Sequence, residues 1–183
     1  MGAFLRVIAL CLIWTAVTSS AQDKRNTQPV PVPECGDPVQ HSDFYLTPNS
    51  FAGAKITTLS DSLALVLTLK NKHHIEVTLA GVDLTSLDNS ARLKIRKHLN
   101  TKVLGAQMEI LLSGNIDFSK LDQLTRVEAL VMTTSDGQDI GLKLIEQGLA
   151  AYQEPNRLGS YDRCVYRVME ARAKASHLGI WSQ

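Results

Sequence analysis

The 183-residue chain has little net charge, few aromatic residues and few cysteines, and each shortage removes a class of function. Lysine and arginine together number 19 against 18 acidic residues, a formal charge of +1. Affinity for a phosphate backbone rests on an excess of Lys and Arg, so a nucleic-acid role would need a local patch rather than the overall balance. Aromatic residues make up 5% of the chain. That scarcity argues against gripping single strands by base stacking. There is no Gly-rich phosphate loop, no G-x-S-x-G elbow and no C-x-x-C pair, so no nucleophile constellation stands out. With 44% hydrophobic residues and a mean hydropathy of −0.03, the composition fits one globular domain and excludes a polytopic membrane protein.

The one long apolar run lies at the N-terminus, MGAFLRVIALCLIWTAVTSSAQ. A single basic residue, Arg6, precedes the run from Val7 to Val17, and Ser19-Ser20-Ala21 supplies a small-x-small cleavage site. Residues 1–21 therefore read as a secretory signal peptide cut after Ala21. An uncleaved anchor fits less well because the run is short and a polar segment follows it. A lipoprotein cut before Cys11 fits less well again, because bulky Leu10 stands where a small residue belongs. The expected product is a secreted or periplasmic protein that does not span a membrane. Cleavage removes Cys11 and leaves Cys35 and Cys164, an even pair that in an oxidising compartment reads as a disulfide. It also removes Arg6, so that basic and acidic residues balance.

Residues 22–54 are polar and Pro-rich, with PVPVPECGDP from Val30, and proline's fixed φ and missing N–H keep such a stretch out of helices and sheet interiors. This reads as a tether, with Cys35 pinning it to a domain over residues 55–183. In that domain Lys55 to Leu59, Ser62 to Leu69 and Ile75 to Ala80 are β-rich runs, giving a three-stranded antiparallel meander. Leu87, Ala91, Ile95 and Leu99 recur at fours and predict a helix that starts near Asp88 or Asn89. Strand signals return over Gln107 to Leu112 and Val127 to Thr133, and Asp136-Gly137 marks a tight turn. Leu142 to Gln147 predicts a short helix ended by Gly148. A last helix is expected from about Tyr161 to His177, with Tyr161, Cys164, Val165, Val168, Ala171 and Ala175 along one side and Gly179 as its stop. The fold class is thus α+β: a five-stranded OB-fold Greek-key β-barrel with three packing helices.

Several of these segments together suggest a family. RVEALVMTTSDGQDIGLKLIEQGLA, from Arg126 to Ala150, resembles the second half of a staphylococcal nuclease-like (thermonuclease) domain. YRVMEARAKASHLGIWS is similar to that family's closing helix, and VTLAGVD, from Val77 to Asp83, to its third strand and active-site loop. The resemblance runs over about Lys55 to Ser182, with the motifs in order and near family spacing. It implies a calcium-dependent phosphodiesterase acting on DNA or RNA. Two aspartates, a backbone carbonyl and waters make a hard-oxygen site suited to calcium. A glutamate near the metal positions or deprotonates the attacking water, and two arginines hold the phosphate.

Carried over position by position, the resemblance places the metal aspartates at Asp61, within Leu59-Ser60-Asp61-Ser62, and at Asp83. One phosphate-binding arginine falls at Arg126. The other falls at Thr78, the catalytic glutamate falls at Ser86, and Thr85 stands where a proline usually shapes the loop. A lost general base typically costs about 10²- to 10⁴-fold, and a lost preorganised donor about as much again. The sequence therefore leans toward a catalytically impaired domain acting as a binding or scaffold module on a protein or nucleic-acid partner, with no cofactor or with Ca²⁺. Its alternative is a divergent Ca-dependent nuclease using Asp61, Asp83 and Arg126. Asp88 is either a substitute base or a helix cap. Asp61 and Asp83 are either metal ligands or ordinary turn and strand-end aspartates. In ARLKIRKHLNTK, the residues Arg92, Arg96 and Lys97 are either a patch for an anionic partner or a solvated helix face. His73-His74 reads as a solvated turn, because adjacent strand residues face opposite ways.

Overall fold

The computed structural model describes residues 33–35, 50–68, 72–112, 126–154 and 158–182. The expected signal peptide and all of the tether before Pro33 lie outside the described residues.

Alternation of apolar and polar residues builds the sheet. Strand β1 (Ser50–Leu59) pairs antiparallel with β2 (Leu65–Thr68), and β2 with β3 (His74–Leu79), which is the expected meander. β5 (Gln107–Leu112) pairs antiparallel with both β1 and β6 (Arg126–Thr133), and β6 runs parallel to β3, closing the barrel in the order β1-β2-β3-β6-β5. Ile56, Leu65, Ile75, Val77, Met108, Ile110, Ala129 and Val131 turn inward and are buried, while Glu76, Thr78 and Arg126 take the outer face. This is the closed OB-type barrel that the pattern implies.

Two strands differ in extent from expectation. β1 starts at Ser50 rather than Lys55, and β2 starts at Leu65 rather than Ser62. The lost residues of β2 form a turn: Ser60 N donates to Ala64 O at 2.9 Å, the Ser60 hydroxyl receives Ala64 N at 3.1 Å, and Leu63 takes φ +66°. A serine able to bond its own backbone competes with the ladder, a propensity that the β-rich composition hides. A further two-residue strand, β4 (Val82–Asp83), pairs antiparallel with β7 (Ala151–Tyr152), which the pattern did not suggest because two residues carry no period.

Helix α1 (Asn89–Lys102) buries Ala91, Ile95 and Leu99, as their spacing predicts, and Leu87 precedes it in the loop. Helix α2 (Ile140–Glu146) ends at Gly148, φ +65°, whose N–H bonds Ile145 O at 2.9 Å. Helix α3 (Ser160–Ala175) departs from expectation on its packed side: Tyr161, Asp162, Val165, Tyr166 and Ala173 are buried, whereas Ala171 and Ala175 are exposed. Its stop also differs. His177, the residue after the helix cap Ser176, adopts the left-handed conformation first, φ +50°, and Leu178 N closes back on Ala173 O at 3.0 Å, while Gly179 is left-handed too, at φ +55°. Gly179 opens a separate 3-10 turn, Gly179–Trp181, and serves a different purpose. A Cβ on Gly148 would strike the Leu178 carbonyl, and one on Gly179 the Gly148 carbonyl, so two glycines let the backbones touch and Ile180 N bond Gly148 O at 2.8 Å. The QGLA and GIWS segments thereby become one structural joint.

Cys35, in the 3-10 turn Pro33–Cys35, is bonded to Cys164 of α3, as the cysteine count predicts, with a Cα separation of 5.5 Å. Glu34 beside it receives Arg172 Nη2 at 2.8 Å. On the other side of α3, the Tyr166 hydroxyl donates to Asp139 Oδ2 at 2.5 Å, while Asp139 Oδ1 caps α2 by accepting from Gly141 N and Leu142 N. Asp139 as a residue is half-exposed, yet its carboxyl is turned inward, and burial pushes the acid up to about 6 despite those three donors.

Two predictions follow from these joints. Cys164→Ser should lower the unfolding free energy in urea by about 2–4 kcal/mol, and a reductant should affect wild type but not the variant. Because Asp139 binds its proton more tightly in the folded chain than an ordinary aspartate does, its stabilising contribution is complete below about pH 4 and is lost as pH rises through about 6. Tyr166→Phe removes a bond that lowers this pKa, so NMR titration of the Asp139 carboxyl should show a midpoint higher still.

Candidate active site

The outer ends of β3 and β4, the turn between β1 and β2, and the first turns of α1 converge on one face. Gly81, at φ +75°, lets the chain turn from β3 into β4 with the Tyr166 ring packed against its Cα. Ala80 N bonds Ala129 O at 2.9 Å and Gln153 N bonds Gly81 O at 3.0 Å, so the approach to Asp83 is fixed from both sides.

Asp83 has no idle carboxylate oxygen. Its Oδ1 accepts from Thr85 N and Thr85 Oγ1, each at 2.8 Å, and from Ser86 N at 3.3 Å. Its Oδ2 accepts from Ser86 Oγ at 2.6 Å. The Ser86 hydroxyl, followed by the Thr85 and Ser86 backbone and hydroxyl donors, holds the acid down at about 2 against the opposing effect of burial. Thr85 and Ser86, the positions where the sequence resemblance expects proline and glutamate, close the loop on the aspartate itself.

The other expected positions are placed as follows. Asp61 lies in the Ser60–Ala64 turn with its side chain fully exposed, 4.0 Å from Arg96 Nη2. Asp88 caps α1, its Oδ1 accepting from Ala91 N at 2.7 Å. Thr78 donates its hydroxyl to Val127 O at 3.1 Å, and its partner across the β3–β6 ladder is Glu128. Arg126 stands one step further back, in register with Glu76, and both its Nε and Nη2 reach Glu76 Oε2, at 3.0 and 2.5 Å. Among the described residues, Glu76, Glu128 and Arg126 share this part of the outer face.

Arg92, Arg96 and Lys97 do not share one open surface. Lys97 is exposed, but Arg92 and Arg96 are half-buried and turn back over the loops. Arg92 Nη1 donates to Leu84 O at 3.0 Å and its Nη2 to Asp61 O at 2.6 Å, while Arg96 Nη2 donates to Ser60 O at 3.0 Å. Their i, i+4 spacing beside the buried Ala91/Ile95 stripe was the available signal, since side chains at a stripe's border lean over whatever packs beside it.

A calcium ion does not fit these residues. Calcium takes six to eight oxygens, about 2.3–2.6 Å away. Here Asp83 is spent on hydroxyl and amide donors, the carbonyl that follows it belongs to Arg92, the Ser60 and Asp61 carbonyls are bonded by guanidinium groups, and the Asp61 carboxylate faces solvent beside Arg96. Among the described residues no three His, Cys, Asp or Glu side chains gather as a metal site.

The barrel order, the parallel β3–β6 pair and the loop around Asp83 define a nuclease-type OB barrel. The sequence profile of the family described as staphylococcal nuclease homologue matches residues 77–183, more than half of the chain, and the chain belongs to that family. Among curated proteins it is similar to "Probable endonuclease LCL3" of the fungus Verticillium alfalfae, at 30% identity over 118 residues. That match covers 59% of this chain and 39% of the relative's length.

Asp83 is stabilised by groups that act only on its charged form, which gives a pH signature. Its folded pKa lies below its unfolded value, so its contribution is present above about pH 4 and is lost as pH falls toward about 2. Ser86→Ala should raise the Asp83 midpoint in an NMR titration and remove about 1 kcal/mol of unfolding free energy at neutral pH, a figure reduced for solvent screening.

Proposed function

We propose that this member of the nuclease family is a secreted or periplasmic module that has given up metal-dependent hydrolysis and works by binding a partner, protein or nucleic acid. The observation that carries this reading is the Ser86 hydroxyl, which stands at the general-base position and donates to Asp83 at 2.6 Å. A neutral hydroxyl engaged as a donor takes no proton from water, and the carboxylate it satisfies is a poorer metal ligand. Glu128 beside Thr78 adds to this, because a carboxylate next to the vacated arginine position repels a phosphate rather than holding it. Arg126, paired with Glu76, is one phosphate ligand without its counterpart.

Export rests on the leader over residues 1–21, cut after Ala21, and on the Cys35–Cys164 disulfide, which persists in oxidising compartments. Among the described residues no helix is long and apolar enough to cross a membrane. The segment expected as a tether over residues 22–54 keeps that role only up to residue 49, because Ser50 to Ala54 belong to β1 of the domain that was expected over 55–183. The second reading, a divergent calcium-dependent nuclease, takes its support from the relative named a probable endonuclease.

The two readings separate in one assay. Disulfide-intact protein incubated with single- and double-stranded DNA and RNA, in calcium and in chelator, should cleave no faster than its Asp83→Ala variant. Calcium-dependent cleavage lost in Asp83→Ala would select the second reading.

A further inference from the structure

We infer that the Arg92 guanidinium does in this chain the structural work of a bound cation: it ties the β1–β2 turn to the loop after β4, so the two keep their arrangement without a divalent ion. Arg92 reaches Asp61 O at 2.6 Å with one nitrogen and Leu84 O at 3.0 Å with the other, a two-pronged bridge between segments of chain that share no ladder. Arg96, one helical turn on, adds Ser60 O at 3.0 Å. Three backbone carbonyls from two loops thus point at fixed positive charge borne by one helix.

Elementary electrostatics explains why this arrangement is stable. Carbonyl oxygens at loop ends must be satisfied, by water, donors or a cation. A guanidinium is charged at every accessible pH, and its rigid fork loses little freedom per bond formed. It also sits on α1, whose Ala91, Ile95 and Leu99 are buried, so the donor arrives with its position already set. A divalent ion entering the same space would meet two guanidinium charges and carbonyls already bonded. The Leu84 carbonyl is the first beyond Asp83, whose own oxygens are satisfied by Thr85 and Ser86. These three carbonyls and the Asp83 carboxylate therefore draw their partners from within the chain. The inference rests on the reading that no calcium is held here, and its test follows loop stability rather than cleavage, so the two can fail separately.

The test uses the full mature chain with its disulfide intact. Wild type should melt at the same temperature in excess calcium and in chelator, and calcium titration should leave the Leu84, Thr85 and Ser86 amide resonances in place. Arg92→Met keeps most of the stem and removes the fork, and it should lower Tm by roughly 3–6 °C. Lys97→Met, an exposed control on the same helix, should stay within about 1–2 °C of wild type. Hydrogen exchange in Arg92→Met should quicken in both loops, over residues 60–64 and 83–86, and not in β5 or β6. If Arg92→Met does not fold, Arg92→Lys replaces it, with a smaller change of the same pattern. A Tm that rises with calcium in wild type, a saturable calcium shift at Leu84, or an Arg92 variant no weaker than Lys97→Met would each overturn the inference.

Discussion

The parallel pairing of β3 with β6 is the constraint on which the rest of the molecule depends. Parallel neighbours cannot be joined by a hairpin, so the chain must leave β3, travel across the barrel end and return. That excursion contains β4, α1 and β5, and every residue of the candidate site except Asp61, in the β1–β2 turn, lies on it or on the strands it joins. The register sets Glu76 against Arg126 and Thr78 against Glu128, and so decides which charges meet on the outer face. It also brings α1 back over the Ser60–Ala64 turn, where its arginines find carbonyls to bond. A slip of one residue would turn Ile75, Val77 and Leu79 outward, so the barrel core and the site geometry share one determinant.

The two groups of cations at this face differ in how firmly they are held. Arg126 and Glu76 form an exposed pair, and such pairs contribute about 0–1 kcal/mol. Arg92 is half-buried and donates to two carbonyls, bonds of the charge-assisted kind worth about 1.5–3 kcal/mol each. Asp83 is likewise committed, by four donors within three residues of itself. Charges that a metal-dependent enzyme would leave facing an ion and a phosphate are here neutralised by the chain's own groups.

Much of this was legible in the residues. The barrel follows from period-two burial in β2 and β3 and at the starts of β5 and β6, and the disulfide from the two cysteines that remain once the expected leader is set aside. The family showed in DGQDIGLKLIEQGLA because a turn, a cap and a glycine stop must occur there in that order. Other features were hidden for physical reasons. A two-residue strand such as β4 has no periodicity to read. Arg92 and Arg96 look like surface charge because a helical wheel places them outside the apolar stripe without saying what lies above it. The pairing of Arg126 with Glu76 requires the register of two strands 50 residues apart, and no local pattern encodes that. The stripe on α3 was misjudged because alanine suits an exposed helix position as well as a buried one.

Cys35 and Cys164 are 129 positions apart, and the bond between them encloses nearly the whole domain. The polypeptide is therefore topologically a loop with two free ends, rather than a line. A peptide bond broken anywhere between those two positions opens the loop without releasing a fragment, and the severed parts stay at high effective concentration for each other. In surroundings rich in proteases, a nicked copy would remain a single covalent molecule, with the same partners facing one another across the cut.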